Sequence, residues 1–214
     1  MNKENLKESI ESNYDIKVLA IEKVKNSYRL ETENTNYAIK IIKYDFPHFY
    51  FILSAIEHLQ KREFHKIPQI LNNKDGTKYI KLENSYAYLT EWIPSRVSNY
   101  DNPIELSKVA EKLGELHTSS TGFNINNNMR PRIGWYSWIN VFNTRCNEIL
   151  DFKNRINQKA YKSKFDCIYL NNIEAEIERG KKAIDNLKKH EYIEIMDKEV
   201  MKMGFCHHDY AHHN

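Results

Sequence analysis

The segment His207-His208-Asp209-Tyr210-Ala211-His212-His213-Asn214 decides the fold, because it fits the pattern H-x-D-x-x-x-x-N. This pattern is typical of the catalytic loop of kinases. In such a loop the Asp accepts the proton of the attacking hydroxyl, the Asn binds Mg²⁺ beside the phosphates, and the His supports the loop's backbone. We therefore predict Asp209 as the catalytic base, His207 as its support and Asn214 as a magnesium ligand.

Two other interpretations of this segment stay open. His208 and His212 stand at positions i and i+4, a spacing that metal ligands use on a helix, so the segment could be a metal-binding module. It could also be a polar, frayed C-terminus that merely contains a histidine cluster.

Upstream of this segment, Tyr37-Ala38-Ile39-Lys40 matches the V-A-I-K strand whose lysine contacts the nucleotide phosphates. We predict Lys40 for this role, with Lys43 as the fallback. Glu57, on the helix that follows, is the candidate ion-pair partner of Lys40. The apolar run 88–93 precedes Pro94 and would be the connection whose backbone binds adenine.

The pattern of apolar residues predicts an α+β fold with five strands, one helix between them, and further helices. The loop near 23–28, which would cover the phosphates, contains no glycine. This order is that of a bilobed protein-kinase-like fold, with an N-terminal nucleotide-binding-type lobe at 1–93 and a mostly helical lobe at 94–214. The predicted strands are 16–22, 27–33, 37–44 and a hairpin of 68–71 with 79–82 around Lys74-Asp75-Gly76-Thr77, and a further apolar run follows at 86–93.

Composition excludes several classes of function. The net charge is only +3 and no long basic run occurs, so we expect no nucleic-acid partner. The charged residues 1–15 do not form a secretory signal, and no apolar run is long enough for a membrane span. The three cysteines include no C-x-x-C pair and are read as reduced thiols of an intracellular protein.

Four segments together resemble the CotS-type spore coat proteins, a branch of the aminoglycoside phosphotransferase/choline kinase-like superfamily. They are 38–40, 86–93, 110–117 and 205–214, and they occur in the family's order. The last is the most specific, because the family's loop reads H-x-D-Y and ends in H-N.

The resemblance implies ATP and Mg²⁺ as cofactors and a small-molecule substrate. It also implies a coat component that is made in the cytoplasm and deposited on the spore coat, with other coat proteins as partners. The implied roles are catalytic base for Asp209, magnesium ligand for Asn214, phosphate contact for Lys40, backbone contacts to adenine for Thr90 and Trp92, and a position over the phosphates for Ser27.

One departure from the family concerns the C-terminal lobe. Family members continue past the catalytic loop to a second metal-binding Asp and several helices, whereas this chain ends at Asn214. We therefore expect a truncated, marginally stable and catalytically inactive chain that acts as a coat component. The alternative is an ATP-dependent kinase for a small hydroxylated or amino-sugar substrate, seen as a fragment. The phosphate acceptor and the oligomeric state are left open.

Overall fold

The structure, a computed structural model, describes residues 2–212. Within that range it has an antiparallel sheet with the strand order β1-β2-β3-β5-β4, together with six helices, in agreement with the predicted α+β class. The elements are α1 Lys3–Asn13, β1 Ala20–Val24, β2 Ser27–Glu31, β3 Asn36–Ile42, α2 Phe46–Lys61, β4 Ile80–Leu82, β5 Ser85–Glu91, α3 Pro103–Ser119, α4 Trp138–Asn157, α5 Lys164–Lys189 and α6 Tyr192–Lys202.

Strand alternation gives the sheet two different faces, because successive side chains of a strand point to opposite sides. The first face is apolar and packs with α1, which buries Leu6 and Ile10 against it. Its own buried residues are Leu30, Ile39, Ile80, Leu82, Ala87 and Leu89. This face forms the largest buried core of the sheet.

The second face is covered by α2 over only part of its area. At one end, Ile42 and Tyr86 pack with Phe49 and Leu53 of α2. Beyond that cluster the face carries mostly polar side chains. We call this remaining part the open face and define it as Ser27, Arg29, Ala38, Lys40 and Trp92; Thr90 points to the same side of the sheet but is buried.

The chain divides into two compact units. One contains the residues up to Pro131 together with those from Met203, and the other is Arg132–Lys202. The predicted lobes, 1–93 and 94–214, stay a prediction. None of the helices within residues 2–212 combines the length and the apolar character that a bilayer span requires.

The second unit is built on the packing of α4 against α5. The N-terminus of α5 has a capping box in which Ser163 and Asp166 each accept a hydrogen bond from the other's backbone N–H. Farther along, Gly180 of α5 lies directly against Cys146 of α4. The glycine allows this close approach because it has no side chain.

Two of the predicted strands differ from the structure: one does not form, and the other begins later in the chain than predicted. Residues 68–71 form no strand but only one bridge, Ile70 to Thr90, and β4 forms its hairpin with β5 instead. The reason is Asn73, whose side-chain oxygen accepts the N–H groups of Asp75 and Thr77 and closes a separate turn. The first strand starts at Ala20 rather than at position 16, because the preceding Val18 N–H binds the side chain of Glu11 in α1.

The sequence interpretation also missed α1, whose residues were judged only by their charge. The signal was present, since Leu6 and Ile10 are four residues apart and Asn2 supplies the N-cap by accepting the N–H of Glu4. Helix α6 was missed as well.

Candidate functional site

The predicted nucleotide-binding residues of the sheet lie side by side on its second face. Ala38 pairs with Thr90, and Lys40 stands two residues along β3 from Ala38. Continuing the β2–β3 register by one residue places Ser27 opposite Lys40. Because directly opposed residues of an antiparallel sheet share a face, these four residues are neighbours on that face.

Lys40 is exposed, and its side chain makes no hydrogen bond or ion pair with any residue in the range 2–212. The predicted pairing of Lys40 with Glu57 is not present. The Glu57 carboxylate lies 3.3 Å from Nζ of Lys78 instead, and both of these side chains are partly buried. The other predicted role of Glu57, in binding the cofactor, stays a prediction.

At the end of β5 both predicted positions, Thr90 and Trp92, direct their backbone groups toward β3, because they have the same strand parity and Thr90 pairs with Ala38. The N–H of Trp92 donates to the carbonyl of Asn36 at 2.9 Å, so this group is engaged in the sheet. Since backbone groups alternate along a strand, those of Glu91 point to the side away from β3. On that side Ile70 bridges to Thr90, and the roles of Thr90 and Trp92 toward adenine stay predictions.

The turn between β1 and β2 takes the place of a phosphate-covering loop. Val24 pairs with Ser27, so only Lys25 and Asn26 connect the two strands. Lys25 has a φ of 52°, in the left-handed region that such two-residue hairpins require. The absence of glycine from this segment is therefore accommodated by a short, tight turn.

Arg29 was not predicted, yet it lies at the centre of the open face. Its guanidinium carbon stands 5.7 Å from the ring centroid of Trp92, and Nη1 lies 3.9 Å from the carboxylate of Glu22. Its Nε is buried and has no hydrogen-bond partner among the described residues. Such a cation held on an aromatic ring has a restricted orientation.

The segment that carries Asp209 is fixed at its start by apolar and polar contacts. The N–H of Phe205 donates to Oγ of the buried Ser120 at 3.3 Å. The ring of Phe205 packs edge-on against Phe123, with the centroids 5.2 Å apart. These contacts attach the segment to the C-terminal end of α3.

Tyr210 attaches the same segment farther along α3. Its hydroxyl donates to the carbonyl of Val109 at 3.0 Å, and burial raises the pKa of this phenol. Its ring also meets the exposed His207, with centroids 5.8 Å apart. Asp209 lies between these two residues and is exposed. Asp209 is therefore an exposed residue on a segment whose backbone is anchored on both sides of it, and its role as catalytic base stays a prediction.

The metal-binding interpretation loses its geometric basis. His208 has a φ of 67°, and the segment 204–212 is not helical, so His208 and His212 do not share a helix face. Among residues 2–212 no group of three His, Cys, Asp or Glu side chains is placed so that it could hold a metal ion. The predicted ligand Asn214 lies outside the described residues.

Two shallow surface cavities lie away from the open face. One of about 290 Å³ is bordered by Lys43 and Lys81, and one of about 530 Å³ by Phe64 and Lys112. Neither is lined by Lys40, and both are open to solvent. The candidate site is accordingly a surface of the sheet rather than an enclosed cavity.

The chain matches the family described as "Spore coat putative kinase YutH" over residues 7–213. Among solved structures it is similar to an aminoglycoside phosphotransferase from Alicyclobacillus acidocaldarius. That likeness has 18% identity and a TM-score of 0.81, and it covers 94% of this chain and 59% of that protein. It is also similar to the spectinomycin phosphotransferase APH(9)-Ia, which was solved with ADP and spectinomycin. This likeness has 18% identity and a TM-score of 0.58, and it covers 87% of this chain and 56% of that protein.

These likenesses show the fold and confirm the predicted kinase-like, aminoglycoside-phosphotransferase-like class. They also show that the chain spans less than two thirds of the solved proteins that it matches.

Proposed function

We propose, from the premise that this chain belongs to the YutH family of spore coat kinases, that it binds a nucleoside triphosphate on the open face of its sheet. The observation that carries this proposal is Lys40, an exposed cation with no partner among the described residues, aligned with Ser27 on that face. A lysine at this place on the third strand of a kinase-like sheet contacts phosphates.

The residues described on the open face fit a nucleotide. Ala38, whose small side chain is partly exposed, lies beside Lys40 on this face, whereas its neighbour Thr90 is buried. One relative with this fold, the spectinomycin phosphotransferase, was solved with ADP. For Mg²⁺, Asp209 is the one described carboxylate of the predicted loop, and Asn214 lies outside the described residues. We therefore assign no step to the metal.

Phosphoryl transfer is the reaction that this arrangement would serve in the whole protein. A substrate hydroxyl oxygen would bond to the γ-phosphorus, the bond from that phosphorus to the β–γ bridging oxygen would break, and Asp209 would accept the hydroxyl proton. Small hydroxylated compounds or amino sugars are the proposed acceptors. That the 214-residue chain alone lacks this activity stays a prediction.

The binding experiment compares two lysines that are close in the chain. Isothermal titration with ATP should give saturable binding to the unmodified chain, and Lys40→Ala should weaken it by about tenfold or more, as the loss of a charge-assisted contact does. Lys43→Ala removes the same charge three positions away and should leave the affinity within about twofold. A larger loss from Lys43→Ala than from Lys40→Ala would refute the assignment.

A turnover assay tests the prediction of inactivity. The chain is incubated with Mg-ATP and a panel of amino sugars and small alcohols, and ADP release is measured against an Asp209→Asn control. Phosphorylated product from the unmodified chain, absent with Asp209→Asn, would show that the chain is a working kinase. Equal background from both proteins would agree with the prediction.

The coat assignment extends to location and partners. We propose that the protein is made in the cytoplasm and becomes part of the spore coat together with other coat proteins. Intact-mass measurement and antibody detection in sporulating cells and in washed spores would test this. Presence in the spore extract is the expected result, and confinement to the soluble cell fraction would contradict it.

A further inference from the structure

We propose that Arg29, held on the ring of Trp92, contacts the nucleoside part of the bound nucleotide and determines how tightly that part is held. This inference rests on the proposed binding of a nucleoside triphosphate to the open face. Arg29 lies outside the residues that the kinase motifs identify, and its position, its partners and its unpaired nitrogen all indicate this role.

The position of Arg29 follows from where a nucleotide could extend once its phosphates lie at Lys40. In one direction along β3 the next residue on the same face is Ile42, which is covered by Phe49 of α2. In the other direction lies Ala38, about 7 Å from Lys40 at the usual rise of a strand. Ala38 is opposite Arg29 on β2. The nucleoside must therefore lie over Ala38 and beside Arg29.

The orientation of Arg29 is set by its neighbours. The guanidinium stands over Trp92 at 5.7 Å from the ring centroid, and Glu22, at 3.9 Å, is too distant for a hydrogen bond. A planar guanidinium that is already stacked loses little conformational freedom when it binds a ligand. The residue is thus organised for binding before the ligand arrives.

The unpaired nitrogen indicates a missing acceptor. Nε of Arg29 is buried and lacks a hydrogen-bond partner within the described range. A buried donor without an acceptor is unfavourable, and native structures seldom retain one without a reason. An acceptor atom of a purine or ribose lying over Ala38 would satisfy it.

The alternative is that Arg29 and Trp92 merely block the surface. A residue that served only as a plug would be expected to have its donors satisfied within the protein, and Arg29 does not. The two ideas also predict opposite effects of removing the side chain, because a contact residue strengthens binding and a plug weakens it.

The test measures two ligands with each variant by isothermal titration: ATP, and inorganic tripolyphosphate, which has the phosphates without the nucleoside. Arg29→Ala should weaken ATP binding by about tenfold or more, as expected for a charged hydrogen bond, and leave tripolyphosphate within about twofold. The control is Lys23→Ala, which removes one positive charge from the same hairpin on the opposite face, where Lys23 pairs with Tyr28. It should change neither affinity by more than about twofold.

Arg29→Lys keeps the charge but not the planar group. It should therefore also weaken the binding of ATP and leave the binding of tripolyphosphate unchanged. If circular dichroism shows that Arg29→Ala is unfolded, Arg29→Lys decides the question with the same two ligands.

Three results would overturn the proposal while nucleotide binding stands: unchanged ATP affinity in Arg29→Ala, an equal loss for ATP and tripolyphosphate, or tighter ATP binding, which would identify a plug. Failure of the unmodified chain to bind ATP would instead overturn the proposed function, and this inference with it.

Discussion

Replacement of Gly180 by Ala should destabilise the packing of α4 against α5. A Cβ at Gly180 would lie 2.4 Å from Sγ of the buried Cys146, whereas carbon and sulfur normally approach no closer than about 3.5 Å. The sulfur or the two helices must therefore move by about 1 Å. Overpacking of this kind costs about 1–3 kcal/mol, against which the better helix propensity of Ala offsets about 1 kcal/mol.

Gly114→Ala in α3 is the matched control for this substitution. It makes the same exchange inside a helix, but nothing lies within 4 Å of the added Cβ. We therefore expect Gly114→Ala to raise the free energy of unfolding by up to about 1 kcal/mol. The difference between the two variants isolates the steric cost at Gly180.

Urea unfolding followed by circular dichroism measures both variants, and hydrogen exchange assigns the change to α4 and α5. Cys146→Ala removes the obstructing sulfur, so Gly180→Ala made in that background should lose its penalty and resemble Gly114→Ala. The reasoning is refuted if Gly180→Ala alone is as stable as Gly114→Ala, or if Cys146→Ala fails to rescue it.

Three further predictions concern the ends and attachments of helices. Ser120→Ala leaves the N–H of Phe205 without its acceptor, and should speed hydrogen exchange in the segment that carries the catalytic loop. The pKa of Asp166 is lowered to about 2, mainly by the hydrogen bond from Lys159. Its stabilising contribution is therefore present above the unfolded pKa of about 4 and is lost as the pH falls toward 2, so Asp166→Asn should flatten the stability profile between these values in urea titrations. Asn102→Ala removes the N-cap of α3 and should lower the free energy of unfolding by about 1 kcal/mol in the same assay.

Each of these predictions has a result that would contradict it. Unchanged exchange around Phe205 would mean that the Ser120 hydroxyl is not an anchor. If the free energy of unfolding of Asp166→Asn kept the full pH dependence, a group other than Asp166 would be responsible for it. For α3, Asn102→Asp retains a capping oxygen and should keep the stability that Asn102→Ala loses.

Local sequence patterns predicted the parts of the site that lie within single segments. Lys40 was identified from the four residues 37–40, and it does lie on a strand of the sheet. Asp209 was identified from a spacing within eight residues, and its loop is anchored and exposes the carboxylate. In both cases the deciding information is contained in a few consecutive residues, whose chemistry and backbone direction are set locally.

Contacts between distant segments could not be predicted in the same way. Glu57 was chosen because it lies on the helix after β3, but the rotation of α2 brings it to Lys78. The hairpin expected around Gly76 forms instead between β4 and β5, since Asn73 closes its own turn first. The rotation of a helix and the pairing of strands depend on packing over the whole core. This packing cannot be predicted from a short segment of the sequence.

By itself, the sequence determined the α+β class, the strand that carries Lys40, the loop that carries Asp209 and the spore coat kinase family. The class, the strand and the loop depend on periodicity and on the spacing of reactive groups along the chain, whereas the family was indicated by the resemblance of four segments to the CotS-type proteins. The tertiary structure alone decided which face of the sheet stays open, because only the position of α2 shows which residues it leaves uncovered. It also decided that Arg29 meets Trp92, since a contact between residues 63 positions apart requires β2, β3 and β5 to pair in one particular register.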